Sequence, residues 1–344
     1  MGLTVEIADP RADPAPEGWA KFRHRQALHP FWDYELLGLE SWLARNPQLL
    51  AVVRDGGAIV GGLCVLVCRT WRLRSFSPVP TGRTRRMAPR WAEVFVPLFS
   101  GHPACVFDDD LDLPARTAAI RAFERELRRY LGLGLVGVLY RAMTAELAGA
   151  IVGPGRPHRV IDPVAVLTDA ARWQPPPAEP PLNPALVVRS GTGRTDLDPV
   201  ALTGLLNRQR AHDDGLAWAG GQQRRFGGLL HLDTRSEVAL AYLDRLVRRP
   251  EVDTLTYHDA AGTLVGFNLM IDHPTSADMF HWAAVPGRDA GVYADITARR
   301  VRRLVERGGH ELTAGRGRLE VKERLGFGTR ELHSVAAPRP LLGR

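Results

Sequence analysis

The chain of 344 residues contains very little lysine and cysteine and has no long apolar run. Lysine occurs twice, as Lys21 and Lys322, so the other 43 of its 45 basic residues are arginine. The three cysteines form no Cys-x-x-Cys pair, which predicts buried free thiols in a reducing cytoplasm. The longest apolar run, residues 57–68, is too short to span a bilayer, and the first ten residues lack the pattern of a signal peptide. We therefore expect a cytoplasmic protein without a membrane span.

The composition is that of a globular protein, with 45% apolar and 24% charged residues. The formal net charge of +7 is carried almost wholly by arginine. A basic surface favours polyanionic partners such as RNA or phosphorylated cofactors. Codon usage in a GC-rich genome explains the same excess of arginine, so composition alone leaves both interpretations open.

One hairpin pattern occurs twice. The stretch RDGGAIVGGLCVLV, residues 54–67, aligns with HDAAGTLVGFNLMID, residues 258–272. In both, a polar turn rich in Asp and Gly joins two apolar runs, and the second run begins with a Val-Gly step. Such a turn is a strong hairpin signal, and its recurrence predicts two copies of one domain.

A proline-rich segment separates the two halves. RWQPPPAEPPLNP, residues 172–184, lacks the backbone donors that a helix or sheet requires. We therefore predict an N-terminal domain over 1–173, a linker over 174–184 and a C-terminal domain over 185–344. In each half, strands, a hairpin, a further strand, a long helix and another strand follow one another, which predicts a mixed α/β (α+β) sheet.

This order of elements resembles the acyltransferase fold of the GNAT superfamily, the Gcn5-related N-acetyltransferases. Two copies in tandem resemble the Fem-type branch, which includes the peptidoglycan-bridge aminoacyltransferases. The stretch from His281 to Phe327 carries the resemblance, because it ends in the Fem-type order of a glycine-containing strand end followed by Lys-x-x-x-Gly. Those positions are Gly315, Lys322 and Gly326.

The resemblance implies a phosphate site at Arg288 and Gly291. GNAT enzymes bind the pyrophosphate of coenzyme A with an Arg/Gln-x-x-Gly-x-Gly/Ala segment at a helix start, where free N–H groups attract anions. Here the segment is Arg288-Asp-Ala-Gly291-Val-Tyr293, with tyrosine in place of the small residue. A plain loop entering a helix is the alternative, and the altered motif suits Fem-type enzymes, which do not use coenzyme A.

Three residues are candidate catalytic groups. The resemblance places Lys322 near the reacting ester, where an ammonium would stabilise oxyanion charge; an exposed lysine on a short helix is the alternative. His281 is a candidate base for the attacking amine, unless it is a strand histidine paired with a carbonyl. Tyr293 either donates to the leaving hydroxyl or packs on the strand.

A basic stretch, residues 69–91, interleaves seven arginines with Trp71, Phe76 and Trp91. Guanidinium groups pair with phosphates and aromatic rings stack on bases, so this pattern suits RNA, although a solvated loop in an arginine-rich protein is the alternative. The candidate tRNA-binding residues are Arg72, Arg74, Arg83, Arg85 and Arg86. The acidic run FDDDLD, residues 107–112, precedes a helix and predicts capping, so no metal site is expected.

These observations predict a transferase that moves an aminoacyl group from aminoacyl-tRNA to an amine acceptor, with no tightly bound cofactor and with tRNA as partner. The acceptor is expected to be a small molecule of secondary metabolism, such as an antibiotic precursor. One alternative is an acyl-CoA-dependent N-acyltransferase, and another is a non-catalytic module that binds RNA or a carrier protein. The sequence does not determine the transferred group or the oligomeric state.

Overall fold

The computed structural model describes residues 2–43, 48–69, 90–96, 101–176, 181–219, 238–287 and 291–344. These residues form two compact units. Of the described residues, those within 2–162 and 331–344 form the first unit, and those within 163–219 and 238–330 form the second. Within the described ranges, no helix combines the length and apolarity needed to cross a membrane.

The first unit is a sheet with helices. Its elements are β1 Thr4–Ala8, α1 Trp19–Arg25, α2 Tyr34–Leu43, β2 Gln48–Asp55, β3 Ala58–Arg69, β4 Arg90–Val94, β5 Cys105–Phe107, α3 Leu113–Leu131, β6 Leu135–Met143, α4 Ala145–Ile151, the start of β7 His158–Leu167, and most of β13 Gly328–Pro338. The strand order is β1-β2-β3-β4-β6-β13, with β5 beside β3. Strands β4 and β6 pair in parallel, and the other pairs in this order are antiparallel.

The second unit repeats this plan. Its elements are the end of β7, then β8 Val187–Thr192, α5 Pro199–Ala219, α6 Leu240–Val247, β9 Val252–His258, β10 Leu264–Asp272, β11 Ser276–Ala284, α7 Val292–Glu306, β12 Glu311–Thr313 and α8 Leu319–Arg324. The strand order is β7-β12-β11-β10-β9-β8, and β11 pairs with β12 in parallel. Helix α7 packs its apolar face into the core of the unit through Val292, Ile296, Val301 and Leu304.

The two predicted hairpins are confirmed as β2–β3 and β9–β10. Each hairpin contains a β-bulge: the pairing register passes over Val60 in the first and over Val265 in the second. These valines are aligned in the sequence repeat. A bulge at equivalent positions supports the interpretation of the halves as two copies of one fold, because bulges are built into a topology rather than arising at random.

Gly61 follows the first bulge and lies against β5. A Cβ atom at Gly61 would lie 2.5 Å from Cδ1 of Phe107 and 2.9 Å from the Val106 carbonyl oxygen. We expect Gly61→Ala to lower the free energy of unfolding by about 1–3 kcal/mol through overpacking. Gly149→Ala is the control, because a Cβ there meets open space on α4 and should stabilise by up to about 1 kcal/mol. Urea unfolding of both variants measures the difference, and equal effects would contradict the packing argument.

Each sheet contains a strand from outside its own half of the sequence. Residues 333–338 of β13 pair with β6 in the first unit, and Val166 and Leu167 of β7 pair with β12 in the second. The sequence analysis predicted neither strand, because Pro163 and Pro338 weaken the strand signal. The two compact units therefore do not contain the same residues as the two halves of the sequence. The division at the proline-rich segment stays a prediction of where the two copies join.

Several local predictions are confirmed. The Asp112 carboxylate accepts the N–H of Ala115 at 2.8 Å and caps α3, as the acidic run predicted. The Asp198 carboxylate accepts the N–H of Val200 at 2.8 Å at the start of α5. The three cysteines are free thiols, two of them buried.

Candidate functional site

The candidate site of the second unit begins where two parallel strands part. β11 and β12 pair for three residues, ending with Asp278 opposite Thr313. Beyond Thr313 the chain turns to β7, where the Ala314 N–H donates to the Ala165 carbonyl at 3.0 Å and the Gly315 carbonyl accepts from the Ala165 N–H at 3.1 Å. β11 instead continues along β10 to Ala284. The backbone of β11 after Asp278 is thus released from its parallel neighbour.

A β-bulge lies in this released part of β11. Asn268 pairs with Trp282 and Leu269 pairs with Phe280, so His281 is the extra residue. His281 has φ +24°, an unusual value for a residue with a side chain. The bulge places the Phe280 and His281 rings side by side, with centroids 5.0 Å apart.

His281 is half-buried, and its imidazole faces helix α6. Its ring meets the Tyr242 ring edge-on at 5.9 Å on the side of α6. Burial lowers the pKa of His281 well below its usual value, and the charge of Arg210 lowers it further. Nε2 is buried and has no hydrogen-bond partner among the described residues. A neutral imidazole of this kind has a lone pair with which to accept a proton.

Lys322 is buried, which contradicts the exposed alternative. The residue is 5% exposed on α8, and its Nζ donates to the Gly315 carbonyl at 3.1 Å. Gly315 adopts φ +72°, a conformation that favours glycine. Burial lowers the pKa of the Lys322 ammonium from 10.5 to about 8. The structure thus fixes a titratable amine at the end of β12, beside the point where the strands part.

Tyr293 packs on β11 rather than standing free. Its ring lies 4.9 Å from that of Trp282, and the Arg318 guanidinium lies 5.8 Å from the Trp282 ring. Burial raises the pKa of the Tyr293 phenol, which stays protonated at neutral pH. The Trp282 ring contacts Tyr293 of α7, whereas the His281 ring, on the extra residue of the bulge, contacts Tyr242 of α6. The structure therefore joins Tyr293 to Trp282 and Arg318, and it separates Tyr293 from His281.

The remaining predicted site residues are described only in part. Gly291 has φ +74° and immediately precedes α7. Gly266 allows the helix start to approach, since a Cβ there would lie 3.3 Å from Cγ1 of Val292. Arg288 lies outside the described residues, as do the candidate tRNA-binding residues Arg72, Arg74, Arg83, Arg85 and Arg86.

Sequence reasoning missed two buried polar residues at this site, Asn268 on β10 and Arg300 on α7. Both carried a sequence signal. Asn268 interrupts an otherwise apolar run in its strand, and Arg300 falls on the apolar face of its helix beside Thr297 and Val301. A polar side chain in such a position is buried at a cost unless its hydrogen bonds are satisfied.

The corresponding place in the first unit is differently built. β4 and β6 pair in parallel up to Val94 and Tyr140. There the buried Glu93 carboxylate accepts from Nη1 of Arg141 at 2.7 Å, and the Arg141 guanidinium lies 4.3 Å from the Phe95 ring. Burial raises the pKa of Glu93, although Arg141 opposes this shift. Helix α4 contains no lysine in the position that α8 uses for Lys322.

Comparison with solved structures identifies this architecture. A tandem GNAT protein from the clavulanic acid biosynthesis pathway (without AcCoA) matches with TM-score 0.53 at 14% identity, over 97% of this chain and 98% of its own. L-PGS from Bacillus licheniformis matches with TM-score 0.56 at 9% identity, over 96% of this chain and 93% of its own. Likeness at these identities concerns the fold, and this chain has a tandem GNAT fold.

The predicted mixed sheet and doubled GNAT fold are thereby confirmed. No family model matches the chain, and no curated protein matches its sequence. The narrower resemblance to the Fem-type branch stays a prediction, as do the roles of the site residues.

Proposed function

We propose that the second unit transfers an aminoacyl group from aminoacyl-tRNA to the amine of a small-molecule acceptor. The observation that carries this proposal is Lys322. A buried ammonium held against the Gly315 carbonyl is a fixed cation just past the end of β12, where the parallel pairing with β11 has ended. Electrostatic stabilisation of this kind acts most strongly in a site from which water is excluded.

The reaction requires a base, an oxyanion partner and a leaving group. The acceptor amine attacks the ester carbonyl, the C–N bond forms, and the carbonyl oxygen gains a negative charge that Lys322 stabilises. The neutral His281 imidazole takes the proton of the attacking amine. The C–O bond to the tRNA ribose then breaks as the carbonyl re-forms, and the protonated His281 imidazole returns its proton to the leaving oxygen. Tyr293 contacts Trp282 rather than His281 and is assigned no proton transfer in this reaction.

The first unit is not assigned this reaction. Its parted strands hold the Glu93–Arg141 pair under Phe95, and it lacks a counterpart of Lys322. The fold shared with a tandem GNAT protein of the clavulanic acid pathway supports a small-molecule acceptor for the second unit.

An acyl-CoA donor is the alternative, and the glycine before α7 supports it. Gly291 has the left-handed conformation and lies at the helix start where a GNAT pyrophosphate would bind. A non-catalytic module that binds RNA or a carrier protein is the second alternative, and it is favoured by the basic stretch over residues 69–91.

Carrier discharge by the full chain tests the proposal. The protein is mixed with total tRNA charged with labelled amino acids, and in parallel with an acyl-CoA panel, with hydroxylamine as the nucleophile. We expect selective discharge of one aminoacyl-tRNA and a loss of about 10²–10³ in rate for Lys322→Ala. Discharge of acyl-CoA alone would overturn the tRNA donor.

A second set of variants tests the binding-module alternative. Discharge of neither carrier, with RNA binding abolished by charge reversal at Arg83, Arg85 and Arg86 and retained by Lys322→Ala, would favour that alternative. Retention of discharge after the charge reversals would remove these three arginines from the proposed tRNA contact.

A further inference from the structure

The guanidinium of Arg300 connects helix α7 to two strands of the second unit. Nε donates to Oδ1 of Asn268 at 2.8 Å, and Nη1 donates to Oδ1 of Asp253 at 2.6 Å. Nη2 donates to the backbone carbonyls of Asp253 at 3.0 Å and Asn268 at 2.8 Å. All three residues are buried, with Arg300 2% exposed. One side chain of the helix is thereby fixed to β9 and β10 at once.

This network also reaches the bulge. With Oδ1 of Asn268 engaged by Arg300, Nδ2 faces β11 and donates to the Phe280 carbonyl at 3.1 Å. The register between Asn268 and Leu269 is where β11 gains its extra residue, His281. A bulge interrupts the regular ladder bonds at such a point. The amide of Asn268 therefore supplies a hydrogen bond to the carbonyl that directly precedes His281.

A buried arginine with a carboxylate partner is weak evidence for stability, because the cost of removing both charges from water offsets their attraction. A backbone held at φ +24° also costs free energy and persists only where surrounding contacts impose it. Two contacts that act on this backbone are the bond from Asn268 to the Phe280 carbonyl and the bond by which Arg300 orients that amide. The contacts of Asn268 and Arg300 therefore serve to fix the geometry of the Phe280–His281 bulge rather than to stabilise the fold.

We propose that Asn268 and Arg300 are positioning residues that hold the Phe280–His281 bulge, and with it the His281 imidazole, in the geometry required for transfer. This inference rests on the proposed function for its catalytic consequence. The positioning itself is a property of the free protein and is measurable without a substrate.

Asn268→Asp is the sharpest test, because it preserves size and the acceptor for Arg300 while replacing the donor to Phe280 with an oxygen. Asn207→Asp is the matched control. Asn207 on α5 makes the same two-way bond with the backbone of Val238, donating at 3.1 Å and accepting at 2.9 Å, and this bond includes neither β10 nor β11. Asn268→Ser replaces the aspartate variant if that variant fails to fold.

The first readout is the proton–nitrogen spectrum of the eleven histidine side chains in ¹⁵N-histidine-labelled full chain, with His281→Gln used to assign His281. We expect Asn268→Asp to shift the His281 ring signals and their pH titration by more than Asn207→Asp does, because the Asn207 bond connects α5 to Val238 and not to β11. Unchanged His281 signals in Asn268→Asp, or equal shifts in both variants, would overturn the positioning role.

The second readout is transfer with the donor that wild type discharges. A misplaced group of about 1 Å costs about 10²-fold, so we expect kcat to fall by about 10- to 100-fold in Asn268→Asp with KM changed less than about twofold. A kcat equal to that of Asn207→Asp would overturn the catalytic consequence. If wild type discharges no donor, the proposed function fails, and the His281 spectrum alone decides the positioning role.

Discussion

Replacing Lys322 with methionine is expected to stabilise the chain by about 2 kcal/mol at pH 7 while reducing transfer by about 10²–10³-fold. The activity falls because the cation beside the parted strands is lost. The stability rises because burial lowers the Lys322 pKa from 10.5 to about 8, which corresponds to about 3 kcal/mol of cost for the charged form. The lost bond to Gly315 offsets part of this gain.

The lowered pKa of Lys322 determines how the stability of the chain changes with pH. Below about pH 8 the lysine is charged in both the folded and the unfolded chain, so the whole cost of burying the charge is present. Between about pH 8 and 10.5 the folded chain has released its proton while the unfolded chain still binds it, so stability rises with pH. The advantage of Lys322→Met should therefore shrink over this range. The transfer rate of the wild-type protein should fall as the pH rises through about 8, because the cationic form of Lys322 is lost.

Urea unfolding at pH 7 and pH 10 measures the stability difference. Lys21→Met is the matched control, since Lys21 is the other lysine of the chain and is exposed on α1; its effect should stay within about 0.5 kcal/mol. A destabilised Lys322→Met at pH 7 would show that the ammonium contributes net stability where it lies. Full transfer by that variant would remove Lys322 from the proposed mechanism.

The parts of the fold that local signals encode were predictable from the sequence. Helix α3 follows from its aspartate cap, its early proline and its apolar face, and both hairpins follow from their turns. The pairing of β7 in the second unit and of β13 in the first unit was not predictable in this way. The partner of β13 is β6, nearly two hundred residues earlier, and strand pairing depends on tertiary context more than on local propensity.

The residues of the candidate site were likewise predictable only where a local sequence signal marked them. Lys322 attracted attention because lysine is so rare in this chain, and the structure buries it. Asn268 and Arg300 were visible as polar residues in apolar patterns, yet the bond from Asn268 to the Phe280 carbonyl depends on a bulge that no periodicity predicts. The contact of His281 with Tyr242 and that of Tyr293 with Trp282 were also not predictable, since the bulge sets which side chains share a face.

Replacing Glu124 with alanine is expected to cost about 3–5 kcal/mol, because Arg156 would be left buried without its counter-charge. Glu124 on α3 is fully buried and accepts from Nη1 and Nη2 of Arg156 at 2.6 and 2.8 Å. It also accepts from the Tyr140 hydroxyl at 2.9 Å and from the Gly343 N–H at 2.8 Å. One carboxylate thus joins α3, β6 and the C-terminal tail within the first unit.

The contacts of the C-terminal tail, residues 339–344, predict where the loss of Glu124 acts. Arg156 donates to the Leu341 carbonyl at 2.8 Å, so both ends of the Arg156–Glu124 pair hold the segment that follows β13. Loss of Glu124 should therefore loosen β13 and the segment that follows it, as well as α3. Hydrogen exchange of peptides that cover α3 and the last six residues should show faster exchange in both regions.

Glu126→Ala is the matched control on the same helix. Glu126 pairs with Arg129 at the surface, where Arg129 is 77% exposed, so its loss should cost less than about 1 kcal/mol and leave the tail protected. If Glu124→Ala behaved like Glu126→Ala, the buried carboxylate would not be what ties the tail to the first unit. If Glu124→Ala instead released the tail, the first unit would depend on residues from the far end of the chain, and a fragment ending at the proline-rich segment would lack part of its own fold.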